Sequence, residues 1–422
     1  MTHLKLLICI AAVLTMSCMA RDDSQALTAP MGWLSWTRYA CETDCKRYPK
    51  GCIDEHLYRA QADAMAADGY RELGYNYINI DDCWSEMERD AQTHRLVANK
   101  QRFPSGMKAL ADYVHSKGLK LGIYGDVGPK TCAGYPAQNG VNGSNYFALD
   151  AKTFAEWGID SFKFDGCNED AHHFDDLFPK MGKALNESGR HILYICEWPY
   201  YQFQHKDIKI NYQAIADTCH VFRNYNDIWQ NWPSIENIIN FYGDNYDLFD
   251  KHHGPGHFFD PDMVVVGDYG MSHEQSRTQF ALWAMFSAPL FLSNDLRDIS
   301  PEDKKILQNK AIIAVNQDKN AFMAKRANWD QAWAKRVEPK VNGQWSYAIL
   351  YIDTNGIGEK HYRSHKVSEL IPEAKPGTEY VVHDLYLDEG KEILGTLKAA
   401  DNLELLVKTG GSCRMVKLVP KK

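Results

Sequence analysis

Six consecutive residues set the chemistry of this chain: Phe162, Lys163, Phe164, Asp165, Gly166 and Cys167. Apolar and polar residues alternate and a glycine ends the run. A period of two marks a strand, with Lys163 and Asp165 on one face and Phe162 and Phe164 on the other. An ammonium beside a carboxyl group favours the ionised acid. Asp165 is therefore expected as a bare anion at the end of a buried strand, the form a nucleophile takes. A structural ion pair at a strand terminus accounts for the same residues equally well.

The elements around this stretch decide what it serves. Strands are expected at 31–36, 75–81, 119–126, 162–165, 191–198, 220–227 and 289–294, with 263–266 in or beside another. Helices are expected at 54–73, 107–117, 149–157, 171–188, 234–242 and 273–287, several of them closed by a glycine. Strand and helix in alternation mean parallel strands with crossover helices, and eight such units predict a closed (β/α)8 TIM barrel over residues 21–322. Beyond 323 the pattern becomes short alternating strands (344–353, 379–387, 403–408, 413–419) without helices, which predicts a C-terminal antiparallel β-sandwich domain over 323–422.

In such a barrel chemistry sits where strands end. Those ends read Trp36, Asp81 with Asp82, Tyr124 with Asp126, Asp165, Glu197, Asp227, Asp262 and Asp295. One aspartate at a strand-to-helix turn is commonly a helix cap. So many converging on one mouth must be protonated, paired with a cation, or bonded to a polyhydroxyl ligand. Lys163 and Arg223 supply cations, and Trp36, Tyr124, Trp198 and Tyr201 supply flat faces that suit a sugar ring. Two chemistries compete: glycoside hydrolysis by paired carboxylates, and binding of Mg²⁺ or another hard cation. The two basic residues favour the first, since they compete with a metal for the same anions; no metal or cofactor is expected. His361 and His365 lack the glutamate of a zinc-protease motif and read as surface residues.

The chain has 422 residues and a net charge of −8. The charge divides into −11 through Phe322 and +3 beyond it, which favours neither nucleic acid nor an anionic membrane as partner. Residues 1–20, with Lys5 ahead of an apolar run at 6–16 and small residues before Arg21, read as a secretory signal peptide cut after Ala20; the run is too short for a membrane span. Sequons at Asn142 and Asn186 fit a glycosylating compartment. Eight cysteines in the acidic body (Cys41, Cys45, Cys52, Cys83, Cys132, Cys167, Cys196 and Cys219) imply disulfides, leaving Cys413 as a free buried thiol.

The motifs Met31–Gly32–Trp33–Leu34–Ser35–Trp36, Ile80–Asp81–Asp82–Cys83–Trp84, Leu119–Lys120–Leu121–Gly122–Ile123–Tyr124, Lys163–Phe164–Asp165–Gly166–Cys167, Cys196–Glu197–Trp198–Pro199 and Asp260–Pro261–Asp262–Met263 follow one another in order. In this the chain resembles the animal lysosomal α-galactosidases and α-N-acetylgalactosaminidases, from about residue 30 to 318. The resemblance implies a retaining exo-glycosidase acting by double displacement on terminal α-galactosides of glycolipids, glycoproteins or oligosaccharides. It makes Asp165 the nucleophile and Asp227 the general acid/base; Arg223 and Asp227, four apart on the expected strand, would share a face. A retaining pair lies about 5–5.5 Å apart. It gives Asp81, Asp82, Lys163, Glu197, Tyr201, Arg223 and Asp262 to the sugar hydroxyls, and Trp36 and Tyr124 to the ring walls. It also implies disulfides Cys41–Cys83, Cys45–Cys52, Cys132–Cys167 and Cys196–Cys219, a homodimer, and delivery to the lysosome through the secretory pathway.

The choice between the two activities rests on Glu197 and Tyr200. The galactosaminidases carry a serine and an alanine there, which admit the 2-acetamido group, whereas the galactosidases carry a glutamate and a leucine. Glu197 argues for galactose, and Tyr200, larger than leucine, fills the space further. The alternative is an α-N-acetylgalactosaminidase or a dual-specificity enzyme. A galactose-binding relative without catalysis would be marked by loss of Asp165 or Asp227, and both are present. Phe258–Phe259 depart from the family's Trp–Asn ahead of Asp260.

Overall fold

The computed structural model describes residues 23–140, 144–327, 331–354 and 360–421. The expected signal peptide and the sequon residue Asn142 lie outside these; Asn186 is exposed near the end of helix Phe174–Glu187.

Eight parallel strands form the first sheet: β1 (Met31–Leu34), β2 (Tyr77–Asn79), β3 (Lys120–Asp126), β4 (Ser161–Asp165), β5 (Leu193–Cys196), β6 (Val221–Arg223), β7 (Phe258–Asp260) and β8 (Leu290–Leu292). They run in chain order with β8 beside β1. The ring closes just past β7, where the Val264 N–H donates to the Phe291 carbonyl at 2.8 Å and the Ser293 N–H donates to the Val264 carbonyl at 2.9 Å. Residues 263–266 thus lie beside strand seven rather than in it.

The periodicity of β4 does what period two demands. Phe162 packs at 5.0 Å from Phe154 and Phe164 at 5.0 Å from Phe178, both outward against the helix layer, while Lys163 turns into the barrel. Burying a ring of this size contributes roughly 1.5–3 kcal/mol. Inside the barrel a polar pair replaces apolar filling: Ser161 Oγ donates to Asn79 Oδ1 at 2.5 Å. Gly122 makes room for it, since a Cβ there would fall 1.9 Å from Asn79 Oδ1.

Helices begin where side chains satisfy their free N–H groups. Asp54 accepts from the Leu57 N–H ahead of helix Glu55–Ala67, and Ser272 and Gln275 form a reciprocal capping box on helix His273–Met285. Strand six is shorter than expected and ends at Arg223, so Asp227 is carried by the loop that follows and not by a strand face. Trp36 likewise opens a short helix, Trp36–Tyr39, instead of ending β1.

The C-terminal part comprises β9 (Lys325–Ala327), β10 (Ala332–Val341), β11 (Gln344–Asp353), β12 (Lys360–Lys366), β13 (Glu379–Asp384), β14 (Ile393–Lys398), β15 (Asn402–Lys408) and β16 (Ser412–Pro420). Six strands pair antiparallel in the order β14-β13-β16-β11-β10-β9, and β12 pairs with β15. Alternation along β11 serves two cores: Tyr347, Ile349 and Tyr351 face the β12–β15 layer, whereas Ala348, Leu350 and Ile352 join the barrel's core. Strand β10 escapes a sequence reading because a lysine sits at an inward position. Lys335 is buried, and its ammonium donates to the Ala284 carbonyl (2.8 Å), Ser287 Oγ (2.6 Å) and the Val315 carbonyl (2.7 Å). Among the described residues four disulfides form, Cys41–Cys83, Cys45–Cys52, Cys132–Cys167 and Cys196–Cys219, and Cys413 is free and buried.

Candidate active site

Asp165 closes β4 at the C-terminal mouth of the barrel, and both its oxygens are engaged. The Tyr201 hydroxyl donates to Oδ1 at 2.8 Å, the Tyr124 hydroxyl to Oδ2 at 2.8 Å, and the Gly166 N–H to Oδ1 at 2.8 Å. The glycine after it admits the Tyr201 ring, because a Cβ at Gly166 would lie 2.5 Å from Tyr201 Cδ2. Burial, followed by the charge of Asp165, pushes the Tyr124 and Tyr201 hydroxyls well above their usual range, so both stay protonated donors. The Cys132–Cys167 disulfide backs this arrangement, with Cys167 Sγ 3.1 Å from the Tyr201 hydroxyl.

Lys163 is not the direct partner of Asp165. Its ammonium reaches across the barrel to Asp81 Oδ2 at 2.8 Å and stands 3.8 Å from Glu197 Oε1. Asp81 is further held by the Asp82 N–H. Asp82 accepts from the Cys83 N–H (2.6 Å) and the Ala133 N–H (2.9 Å), and burial pushes its carboxyl up to about 6.

Arg223, at the end of β6, gathers three carboxylates: Nε is 2.5 Å from Glu197 Oε2, Nη1 is 2.7 Å from Asp262 Oδ2, and Nη2 is 2.5 Å from Asp227 Oδ1. Burial opposes ionisation of Asp227, but Arg223 outweighs it and holds that carboxyl below the usual range. Asp262, itself at a left-handed φ of 80°, also takes the Ile228 N–H at 2.8 Å and so anchors the loop that presents Asp227. Its neighbour Asp260 is pushed by burial, and then by Asp262, up to about 7. Glu197 Oε2 is buried without an aligned hydrogen bond. The Tyr200 ring stacks 4.7 Å from the Arg223 guanidinium.

The mouth therefore brings together Asp81, Asp82, Tyr124, Lys163, Asp165, Glu197, Tyr200, Tyr201, Arg223, Asp227 and Asp262, with Trp36 half-buried at the head of its short helix. Two residues expected at the mouth do otherwise. Trp198 is fully buried, stacked at 5.5 Å on Phe178 with its N–H on Asp175. Asp295 turns away to Arg297 and Gln61, and these partners overcome burial to hold it at about 2. His361 keeps a partly exposed surface position, with its Nε2 2.6 Å from the buried Asp353 carboxylate. Phe258 and Phe259 are buried in the helix layer, Phe259 packing 4.5 Å from Phe249. Residues without a sequence signal include Ser35, whose Oγ accepts the Asp81 N–H at 3.1 Å. Among the described residues, two clusters of acids and sulfurs are close enough to suggest a metal, Asp126–Cys132–Asp165–Cys167 and Cys45–Cys52–Asp54, but in each the sulfurs are joined as a disulfide and offer no thiolate.

Residues 28–318 match the family model described as alpha galactosidase A. Alpha-N-acetylgalactosaminidase from Gallus gallus is 43% identical over 390 residues, 92% of this chain and 93% of that one. Alpha-galactosidase A from Homo sapiens is 45% identical over 335 residues, 78% of this chain and 76% of that one. Among solved structures, alpha-galactosidase I from Mortierella vinacea superposes with a TM-score of 0.78 at 27% identity, covering 94% of this chain and 98% of that one. With this extent of agreement, the chain belongs to the melibiase family of alpha galactosidase A, and it is a glycoside hydrolase.

Proposed function

We propose that this enzyme removes terminal α-linked galactose from glycolipids, glycoproteins or oligosaccharides by a retaining double displacement, with Asp165 as nucleophile and Asp227 as acid and base. The observation that carries the choice of galactose is Glu197. Its Oε2 is buried, ion-paired to Arg223 yet without an aligned hydrogen bond, and a buried acceptor of this kind is well suited to a sugar hydroxyl. Tyr200, stacked on the same guanidinium, occupies the space an acetamido group would need.

In this reading Asp81, Lys163, Arg223 and Asp262 orient the remaining hydroxyls, while Trp36 and Tyr124 wall the ring. Tyr124 and Tyr201 hold Asp165 in one rotamer, which removes the need to order it during attack. The anion forms a glycosyl-enzyme bond as the leaving oxygen takes its proton from Asp227; water then enters, gives a proton back to Asp227 and releases the sugar with its configuration kept. A lysosomal site of action and a homodimer belong to the same proposal.

The relative from Gallus gallus, named for N-acetylgalactosamine and aligned over nearly the whole chain, supports a second reading, activity on α-N-acetylgalactosaminides. Hydrolysis of paired chromogenic α-galactoside and α-N-acetylgalactosaminide at about pH 4.5, with Asp165→Asn as the blank, separates the two. Cleavage of the galactoside alone is expected. Faster cleavage of the acetamido substrate would overturn the assignment of Glu197 and Tyr200.

A further inference from the structure

Next to the mouth, beyond Asp227, lies an open cavity of about 510 Å³ lined in part by Tyr200, Asn226, Asp227, Trp229, Ser234 and Asn237. This falls within the roughly 300–1,000 Å³ of small-ligand sites. Its distinctive member is Trp229, whose residue is 68% exposed. An indole held in water forgoes the stabilisation of burial, and here the backbone beneath it is fixed. The Trp229 N–H donates to Ser234 Oγ at 2.9 Å, the preceding Ile228 N–H donates to Asp262 Oδ2 at 2.8 Å, and the Gln230 side chain donates to the Thr37 carbonyl at 2.5 Å. Asn231 then caps helix Trp232–Asp244. The platform is anchored on both sides and its ring is left open.

We propose that this groove is the subsite for the leaving-group sugar, with Trp229 as the stacking platform that selects saccharide aglycones. The proposal rests on Asp227 being the acid of the reaction. An acid that protonates the glycosidic oxygen must stand within hydrogen-bond reach of it, so the leaving group begins beside Asp227 and extends along whatever wall Asp227 shares. That wall is this groove. A pyranose ring presents an apolar C–H face, which fits an indole, and a rim of hydroxyls, which fits the amides of Asn226 and Asn237 and the hydroxyl of Ser234. A methyl aglycone is too small to reach the indole. Trp229 is thus a specificity residue and touches no part of the sugar that is transferred.

The test compares Trp229→Ala with wild type on methyl α-D-galactopyranoside and on the disaccharide α-D-galactopyranosyl-(1→6)-D-glucose. An aromatic contact of this kind is expected to change kcat/KM for the disaccharide roughly 3- to 10-fold, with methyl galactoside altered less than about two-fold. Trp229→Phe should recover most of the loss. Equal losses on both substrates would mean that Trp229 supports the Asp227 loop, and no loss on either would mean that the groove is unused; both outcomes overturn the subsite. If wild type cleaves only acetamido sugars, the same pair of aglycones on N-acetylgalactosamine reads the subsite while the galactose assignment fails. Cleavage of neither sugar would refute both.

Discussion

Arg223 meets Asp227 through one contact, Nη2 to Oδ1 at 2.5 Å, while its other two nitrogens are taken by Glu197 and Asp262. In the unliganded protein this single contact keeps the proposed acid ionised. A general acid must carry a proton, so a depressed pKa means that activity is lost as pH rises through a low value. Substrate hydroxyls competing for Arg223 would relax that hold. Since kcat/KM reports the free enzyme and kcat the complex, the basic limb of kcat should lie about 1 pH unit above that of kcat/KM, the scale of a shift worth about 1.4 kcal/mol. Coincident limbs would show that Arg223 keeps its grip on Asp227 in the complex.

The two tyrosines on Asp165 give a second expectation. Each donates to a carboxylate at 2.8 Å, a class of hydrogen bond worth about 1.5–3 kcal/mol. Tyr201→Phe and Tyr124→Phe should each lower kcat by roughly 10- to 100-fold with the circular dichroism spectrum unchanged. A variant as active as wild type would show that Gly166 and packing alone position the nucleophile.

Stability should be greatest in acid. Burial raises Asp82 to about 6, Asp260 to about 7 and Asp268 to about 8, against an ordinary value of 3.8. The folded protein therefore binds more protons than the unfolded chain between about pH 4 and 8, and stability present at the acid end is lost as pH rises through those values. His253 works the other way: burial holds it well below 6.5, so acidification below that point costs some stability. Lys335 also opposes the carboxyls, because burial lowers its ammonium to about 7 and the cost of burying it charged fades as pH rises past that value. Three carboxyls against this lysine and one imidazole still leave a net fall, and the thermal midpoint should be a few degrees lower at pH 8 than at pH 5. A flat or rising midpoint would remove these carboxyls from the balance.

Lys335 staples the β-sandwich to the barrel through three acceptors. Lys335→Met keeps the volume but leaves two carbonyls and a hydroxyl without their buried donor, at about 1–3 kcal/mol for each group left unmet. Chemical denaturation should show a lower midpoint or a separate early transition of the C-terminal strands. An unchanged curve would mean that water replaces the ammonium.

Opening the pocket should alter sugar choice. Glu197→Ser with Tyr200→Ala removes the two side chains set against the acetamido group and leaves Arg223 paired with Asp262 and Asp227. The ratio of acetamido to galactoside kcat/KM should rise at least about 10-fold, the scale of one lost clash or hydrogen bond. A ratio that stays put would place the discrimination elsewhere.

Much of this was legible in the chain itself. Strands that alternate with helices imply parallel pairing and a barrel, so the eight barrel units and most of their helices could be read off directly, as could the change to strands without helices beyond residue 323. Acids at strand ends marked the mouth, because a barrel directs strand ends to one face. Strands β9, β10, β12 and β14 escaped this reading: Lys335 in β10 is buried where an apolar residue is expected, β12 alternates charges with half-buried polar residues, and β9 and β14 have no buried face.

What only the tertiary structure decided is which charges meet. A period of two places Lys163 and Asp165 on one face, but the ammonium crosses the barrel to Asp81 while Asp165 is held by tyrosines from β3 and from helix Trp198–Phe203. Arg223 and Asp227 meet although no strand joins them, with Asp262 paired to Arg223 and holding the Ile228 N–H just past Asp227. Local spacing fixes the direction of a side chain along its own element. Its partner is set by the closure of the barrel, which brings strand ends far apart in sequence within a few ångströms of one another.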